Sequence, residues 1–241
     1  MAASSESQPS EATGAGRTLL ITGASSGIGA ATARLAAGHG YNVALAARSL
    51  DKLQALADEI GAERALAVEC DVTSWEDQQR MAAATRDRFG SIYAVYANAG
   101  FGARRGFREE SPEYWERMVL TNVLGVALTI RATVDDLEAA KGHMLITGSM
   151  AGTRALPGSL YSATKAAVHS IAEALRLELD GTGVRTTLIA PGMVDTPFFD
   201  QRPGAGALHD DDIAEAVLYA LSQPPHVDVN MVLVRPTAQA V

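Results

Sequence analysis

The sequence predicts a doubly wound α/β fold, one sheet of about seven parallel strands with helices on both faces. Three observations predict it. Seven short apolar runs recur along the 241 residues, and most lack the alternation of a half-solvated strand. Such runs fit strands buried on both faces, as in a parallel sheet. Stretches with recognisable helix starts and stops lie between them, and a glycine-rich turn follows the first run.

The first strand is "TLLIT" (18–22), and it runs into "TGASSGIGAATARLAAG". There Gly23, Gly27 and Gly29 follow the spacing G-x-x-x-G-x-G. Glycines at such positions permit the tight strand-to-helix turn. They also let a pyrophosphate approach the free N–H groups of a helix N-terminus. The second strand, "NVALAA" (42–47), leads to Ser49, which precedes the helix "LDKLQALADEI" stopped by Gly61. The third is "ALAVEC" (65–70). After it, Ser74 with Asp77 three residues later resembles a capping box, for a helix that stops at Gly90. The fourth strand is "IYAVYA" (92–97). Ser111 and Pro112 then suit the cap and first position of a helix interrupted by Gly125.

The fifth strand is "HMLIT" (143–147). The run "LYSATKAAV" (160–168) should be helical, and its spacing stacks Tyr161 and Lys165 on one face. "RTTLIA" (185–190) is the sixth strand. Asp210 is placed to cap "DDIAEAVLYALSQ", which ends before Pro224 and Pro225, and "NMVLVR" (230–235) is the seventh strand. No repeat and no linker interrupts this series. One domain, 18–241, is therefore expected after a disordered tail, 1–17, rich in Ser, Gly and Ala.

Composition narrows the function. A net charge of −8 argues against nucleic-acid or anionic-membrane partners, which favour basic surfaces. The single Cys70 cannot form an internal disulfide and reads as a small buried hydrophobe in a reducing compartment. No apolar run approaches bilayer-spanning length, and the opening residues lack the apolar segment of a secretory signal. A cytoplasmic protein is expected. The five histidines form no ligand pattern, so no catalytic metal is expected.

Two places carry chemistry. At the end of the second strand, a site for NAD usually holds an acid that bonds the ribose 2′-hydroxyl. Here Ala47 leaves no carboxylate, and Arg48 offers a bidentate cation for a 2′-phosphate, with Ser25 as a further donor. That predicts NADP(H) over NAD(H); the duller reading is a solvated arginine before a helix cap. The second place is the Tyr161–Lys165 pair. The chain has only three lysines, and chance expects about 0.07 Tyr-x-x-x-Lys matches in such a composition. A lysine ammonium ~5 Å from a phenol contributes about 3 kcal/mol at an effective dielectric of ~20, roughly two pKa units. Tyrosine would then exchange protons nearer neutral pH.

These motifs, in this order, resemble the short-chain dehydrogenase/reductase family in its ordinary one-domain Rossmann form, over nearly all of residues 18–235. "TGASSGIG" is similar to the family's cofactor loop and adds Ser26 and Ile28 to Ser25 and the glycines. "CDVT" supplies Asp71 and Val72, which the resemblance places at the adenine. "ANAG" supplies Asn98, Ala99 and Gly100, with Ala97 where a second Asn is usual. "TNVLG" supplies Asn122, "GSMAG" Ser149, and "YSATK" Tyr161 and Lys165. "PGMVDT" supplies Pro191, Gly192, Val194 and Thr196 of the loop that covers the nicotinamide.

The resemblance implies hydride transfer between NADP(H) and the carbonyl or alcohol carbon of a small ketone, aldehyde or hydroxy acid. Tyr161 would be the general acid or base, and Lys165 its tuner and a ligand of the nicotinamide ribose. Ser149 would orient the substrate oxygen, and Asn122 would hold a relay water. It also implies a homotetramer, less often a dimer, paired through the helices around Asn122 and Tyr161. Plainer roles are open for three residues: Asn122 satisfying backbone groups, Ser149 in a turn, Asp71 as a strand-end acid. Two departures stand out. Ser149 and Tyr161 are only twelve apart, and "DVNMVLVRPTAQAV" replaces the frequent glycine-rich C-terminus, as in members acting on small hydroxy acids, aldehydes or ketones.

Substrate contacts should come from loops at the strands' carboxyl ends, with Phe101, Met150, Arg154, Met193, Phe198 and Phe199 as candidates. They describe an apolar pocket in which Arg154, or the "ARR" at 103–105, could hold a carboxylate. Two other readings compete: a non-catalytic NADP(H)-binding regulator of the same fold, and a family enzyme for a bulkier apolar, steroid-like or polyketide-like substrate. Epimerase or dehydratase chemistry fits less well, because only about fifty residues follow Pro191.

Overall fold

Seven strands line up in one wholly parallel sheet. The computed structural model describes residues 14–198 and 206–239. The strands are β1 (Thr18–Thr22), β2 (Asn42–Ala47), β3 (Ala65–Glu69), β4 (Ala94–Ala97), β5 (His143–Thr147), β6 (Arg185–Pro191) and β7 (Met231–Val234). The helices are α1 (Gly27–Gly38), α2 (Leu50–Ile60), α3 (Trp75–Phe89), α4 (Pro112–Val119), α5 (Gly125–Ala140), α6 (Met150–Thr153), α7 (Leu160–Glu178) and α8 (Asp210–Ser222). The strand order β3-β2-β1-β4-β5-β6-β7 reverses between β1 and β4. That switch point opens the crevice in which such sheets bind ligands.

The uniform apolarity of the inner strands has the predicted cause, whereas the edge strand β7 leaves Met231 and Leu233 exposed. In β1, Leu19 and Ile21 pack into one core with Ala33 of α1, Leu53 of α2 and Val217 of α8. Leu20 points the other way, into a core with Met81 of α3, Val126 of α5 and Val168 of α7. Both faces are covered, and each fully buried Leu or Ile contributes about 1.5–3 kcal/mol.

Helix ends follow the sequence with informative exceptions. The Ser74 and Ser111 hydroxyls accept from the Asp77 and Tyr114 N–H groups, each at 3.2 Å. The expected capping box at Ser74 is not reciprocal, because the Asp77 carboxylate accepts instead from the Asp71 N–H at 2.9 Å. The cap of α8 is His209, one residue before the expected Asp210, and its N–H donates to the Asp212 carboxylate at 2.8 Å. Gly125 does not interrupt its helix. A π turn, Leu120–Leu124, joins α4 to α5. Gly125 serves close packing instead, since a Cβ there would lie 2.8 Å from the Val72 side chain.

The joined run Pro112–Ala140 is long and apolar enough, by length and composition, to cross a membrane, which the sequence reading had not expected. It packs Val126, Thr129, Thr133 and Leu137 into the domain and leaves Val119, Leu120 and Leu124 exposed. At the other end of the chain, Gly14–Arg17 of the expected tail forms a turn, with the Gly14 N–H on the His39 carbonyl at 3.0 Å. Residues 1–13 lie outside the described residues.

At the sheet's amino edge, the buried His143 ring pairs with the Thr187 hydroxyl at 2.7 Å, near a buried Arg185. Burial first, then the Arg185 cation, hold His143 well below the ordinary histidine value. The unfolded chain therefore takes up a proton below pH ~6.5 that the native state refuses. Stability should be insensitive to this group above that pH and fall as the pH drops toward 5. His169, also held low, adds in the same direction. Melting temperatures measured from pH 7 to 5 should fall, and with a shallower slope in His143→Asn.

Candidate active site

The loops leaving β1, β4, β5 and β6 meet at one edge of the sheet. Gly23 and Gly27 have φ of +67° and +52°, a left-handed backbone that glycine enters freely. A side chain on Gly29 would run into the Gly23 carbonyl oxygen. Ser26 caps α1 in extended conformation without turning its hydroxyl onto the helix, so first-turn N–H groups remain available to an anion. With Ser25 and Ile28 beside them, these residues make a cradle suited to a pyrophosphate. Arg48 follows β2, exposed, with no hydrogen bond or ion pair among the described residues.

Asn98 staples the strand ends above this cradle. Its amide donates to the Thr22 carbonyl at 3.2 Å, its oxygen accepts from the Thr147 hydroxyl at 3.0 Å, and the Thr22 hydroxyl accepts from the backbone N–H groups of Asn98 and Ala99. Gly23 packs so closely on Ala99 that a Cβ would lie 2.8 Å from its Cα. Asp71 spends one carboxylate oxygen on the Thr73 N–H and hydroxyl, at 2.9 and 2.7 Å, and Val72 packs against Gly125. These contacts are structural, at the places the sequence assigned to the cofactor.

Tyr161, Lys165 and His169 follow one another at helical spacing along α7. Ser149 caps α6, its hydroxyl accepting from the Ala151 N–H at 3.1 Å. Its oxygen also lies within hydrogen-bonding reach of Tyr161. The Ser149 N–H donates to His169 Nε2 at 3.4 Å, and Gly148 and Gly152 leave room for that ring. Asn122 is fully buried in the π turn. It clips the Phe101 backbone from both sides, at 3.0 and 2.9 Å, and donates to the Thr164 hydroxyl at 3.2 Å. Lys165 is buried and donates to the Thr147 carbonyl at 2.7 Å, near Gly100.

One expectation is corrected here. Burial pushes the Tyr161 phenol up to about 12, against a smaller opposing pull from Ser149, and burial brings Lys165 down to about 8. The lysine ammonium donates to Thr147 and lies 5.8 Å from the phenol ring centre. Desolvation is the largest influence on the phenol, and it holds Tyr161 protonated rather than poised near neutrality.

Around the pair, Phe198 meets the Tyr161 ring edge-on at 5.6 Å, and Gly102 lacks the Cβ that would touch it. Phe101 stacks edge-on with Tyr114 at 5.5 Å. Met150 opens α6, Met193 is exposed, Val194 is buried, and Thr196 packs over Gly27. Gly192, next to Pro191, donates its N–H to the Val234 carbonyl at 2.7 Å. Phe199 lies outside the described residues. Of the arginines proposed for a carboxylate, Arg104 is bound to Glu110 at 3.1 Å, whereas Arg105 and Arg154 are exposed and without such partners among the described residues. His169, Thr147 and Gln239 escaped the sequence reading. Only His169 had a visible signal, its spacing of eight from Tyr161. Among the described residues no His, Cys, Asp and Glu cluster could hold a metal.

Comparisons with known proteins agree with this arrangement. The short chain dehydrogenase family profile matches residues 17–204. An uncharacterized oxidoreductase of Staphylococcus haemolyticus is 41% identical over 225 residues, covering 92% of this chain and 97% of that protein. Among solved structures, an alcohol dehydrogenase from Thermococcus sibiricus, complexed with 5-hydroxy-NADP, is 35% identical with a TM-score of 0.87, covering 93% and 98% of the two chains. A serine dehydrogenase complexed with NADP+ is 31% identical with a TM-score of 0.88, covering 93% and 96%. A glycine cradle at the switch point, a tyrosine and lysine on one helix, and a family match over most of its length make this chain an oxidoreductase of the short chain dehydrogenase family.

Proposed function

We propose that the chain is an NADP(H)-dependent oxidoreductase interconverting carbonyl and alcohol carbons of small ketones, aldehydes or hydroxy acids. The observation that carries this is the meeting of Tyr161, Ser149 and Lys165 at the same sheet edge as the glycine cradle. The cofactor would supply or accept the hydride. The cradle and α1 N-terminus would hold its pyrophosphate, Arg48 its 2′-phosphate, and Asp71 and Val72 would lie at its adenine. Tyr161, held protonated, donates a proton to the carbonyl oxygen in reduction, and Ser149 offers its hydroxyl to the same oxygen. Asn122 fixes the Phe101 loop and α7 relative to each other. Phe101, Met150 and Phe198 around the pair support neutral, apolar-flanked substrates, with Arg105 and Arg154 as the arginines for any carboxylate.

The deciding experiment is a panel of carbonyls and hydroxy acids followed by NADPH absorbance, with NADH controls. Turnover with NADPH supports the reading, whereas NADPH binding without consumption across the panel would favour a regulator. Exposed Val119, Leu120, Leu124 and Leu177 support self-association around α5 and α7, as a homotetramer or dimer, which light scattering tests.

A further inference from the structure

After β7 the chain does not leave the molecule. The Gln239 N–H donates to the Pro236 carbonyl at 3.0 Å, forming a turn that sends the Gln239 carboxamide back toward the site. Its Oε1 accepts from the Met193 N–H at 2.9 Å. Its Nε2 donates to the Met150 Sδ at 3.3 Å, across 89 residues of sequence. The approach is so close that a side chain on Gly192 would run into Oε1, with Pro236 and Arg235 closing the same gap at 3.1 and 3.2 Å. Gly192 is thus required for the loop after β6 to lie under the C-terminal turn.

The two tethered residues are the informative part. Met150 directly follows Ser149, and Met193 stands in the loop that leaves β6. Methionine has three rotatable side-chain bonds and fills whatever space it is given, so Met150 selects poorly unless something holds its sulfur, while Met193 is held through its backbone N–H. Glutamine can do this from one side chain, accepting from a backbone N–H while donating to a thioether sulfur. Glutamate can only accept, and leucine can do neither.

We propose that Gln239 is a positioning residue for the substrate site, fixing the distance between Met193 and Met150 and so the width of the apolar gap beside Ser149. The C-terminal turn then sets how large a group may flank the reacting carbon. This rests on the oxidoreductase reading above. It also gives a purpose to "RPTAQ", which stands where a glycine-rich segment is frequent in the family.

The test compares the wild-type full chain with Gln239→Leu, Gln239→Glu and Met150→Leu. Three readouts are taken: amide hydrogen exchange across residues 190–197, NADPH affinity by fluorescence, and NADPH-dependent reduction of butan-2-one and acetophenone. Gln239→Leu should speed exchange at Met193 by tenfold or more and raise KM for butan-2-one about fivefold. It should shift the kcat/KM ratio toward acetophenone and leave NADPH affinity within twofold. Gln239→Glu should keep the slow Met193 exchange while sharing the shifted ratio with Met150→Leu. Unchanged exchange in Gln239→Leu overturns the proposal, as does a ketone ratio equal to wild type in all three variants. If the wild type binds NADPH but reduces neither ketone, the failure counts against the oxidoreductase reading on these probes, and exchange alone then decides the tether. Should Gln239→Leu fail to fold, Gln239→Glu and Met150→Leu carry the comparison.

Discussion

Replacing Tyr161 by Phe is expected to lower kcat by about 10²–10⁴-fold, the range that a positioned proton donor commonly supplies. Phenylalanine keeps the ring that meets Phe198 edge-on, so the pocket wall survives and only the hydroxyl is lost. NADPH affinity should stay within about twofold, because the cradle of Gly23, Gly27 and Gly29 is untouched. The pH dependence sharpens the test. With burial holding Tyr161 up at about 12, the wild-type phenol would keep its proton through the neutral range, as a donor for reduction needs. Lys165, brought down to about 8, is the group in the pair that loses charge first as pH rises. That ammonium is the cation nearest the phenolate left when Tyr161 gives up its proton, so reduction should weaken on the alkaline side of about pH 8, and Lys165→Met should remove that limb along with most of the activity. A Tyr161→Phe variant within tenfold of wild-type turnover would end the case for a tyrosine acid.

Much of this molecule was legible in the chain itself. Strands buried on both faces need apolar residues at every position, so β1, β2 and β5 announced themselves. Glycines required by positive φ or by close approach, Gly23, Gly27 and Gly29, stood at an interpretable spacing. The i, i+4 pair on α7 followed from helical geometry alone. What escaped reading depends on where side chains end in space. Lys165 donates to the Thr147 carbonyl, and burial of the phenol, which spacing does not reveal, raises Tyr161 where the pairing promised to lower it. Asn98 spans β1 and β5 across 76 and 49 residues, a network no local pattern encodes. Gly125 looked like a helix breaker because glycine usually is one, yet it marks tight packing against Val72. His209 displaced Asp210 as a cap because the Asp212 carboxylate was free to reach the His209 N–H.

Arg48→Asp should reverse the choice of cofactor, the second large effect expected. Ala47, the last residue of β2, offers no carboxylate to a ribose 2′-hydroxyl, and the next side chain is an exposed guanidinium. A hydrogen bond to a charged group contributes about 1.5–3 kcal/mol, and each 1.4 kcal/mol is about tenfold in affinity. Arg48→Ala should therefore weaken NADPH by about 10–100-fold and leave NADH nearly unchanged. The Asp variant goes further, since its carboxylate repels a 2′-phosphate while accepting from a 2′-hydroxyl. Ionic strength separates this from a change of shape. An exposed cation is screened over a Debye length of about 8 Å at physiological salt, so added salt should weaken NADPH far more than NADH in the wild type. In Arg48→Ala the two salt dependences should converge. Equal NADPH selectivity in wild type and Arg48→Asp would take the 2′-phosphate away from Arg48 and leave Ser25 and Ser26 as the donors to replace next.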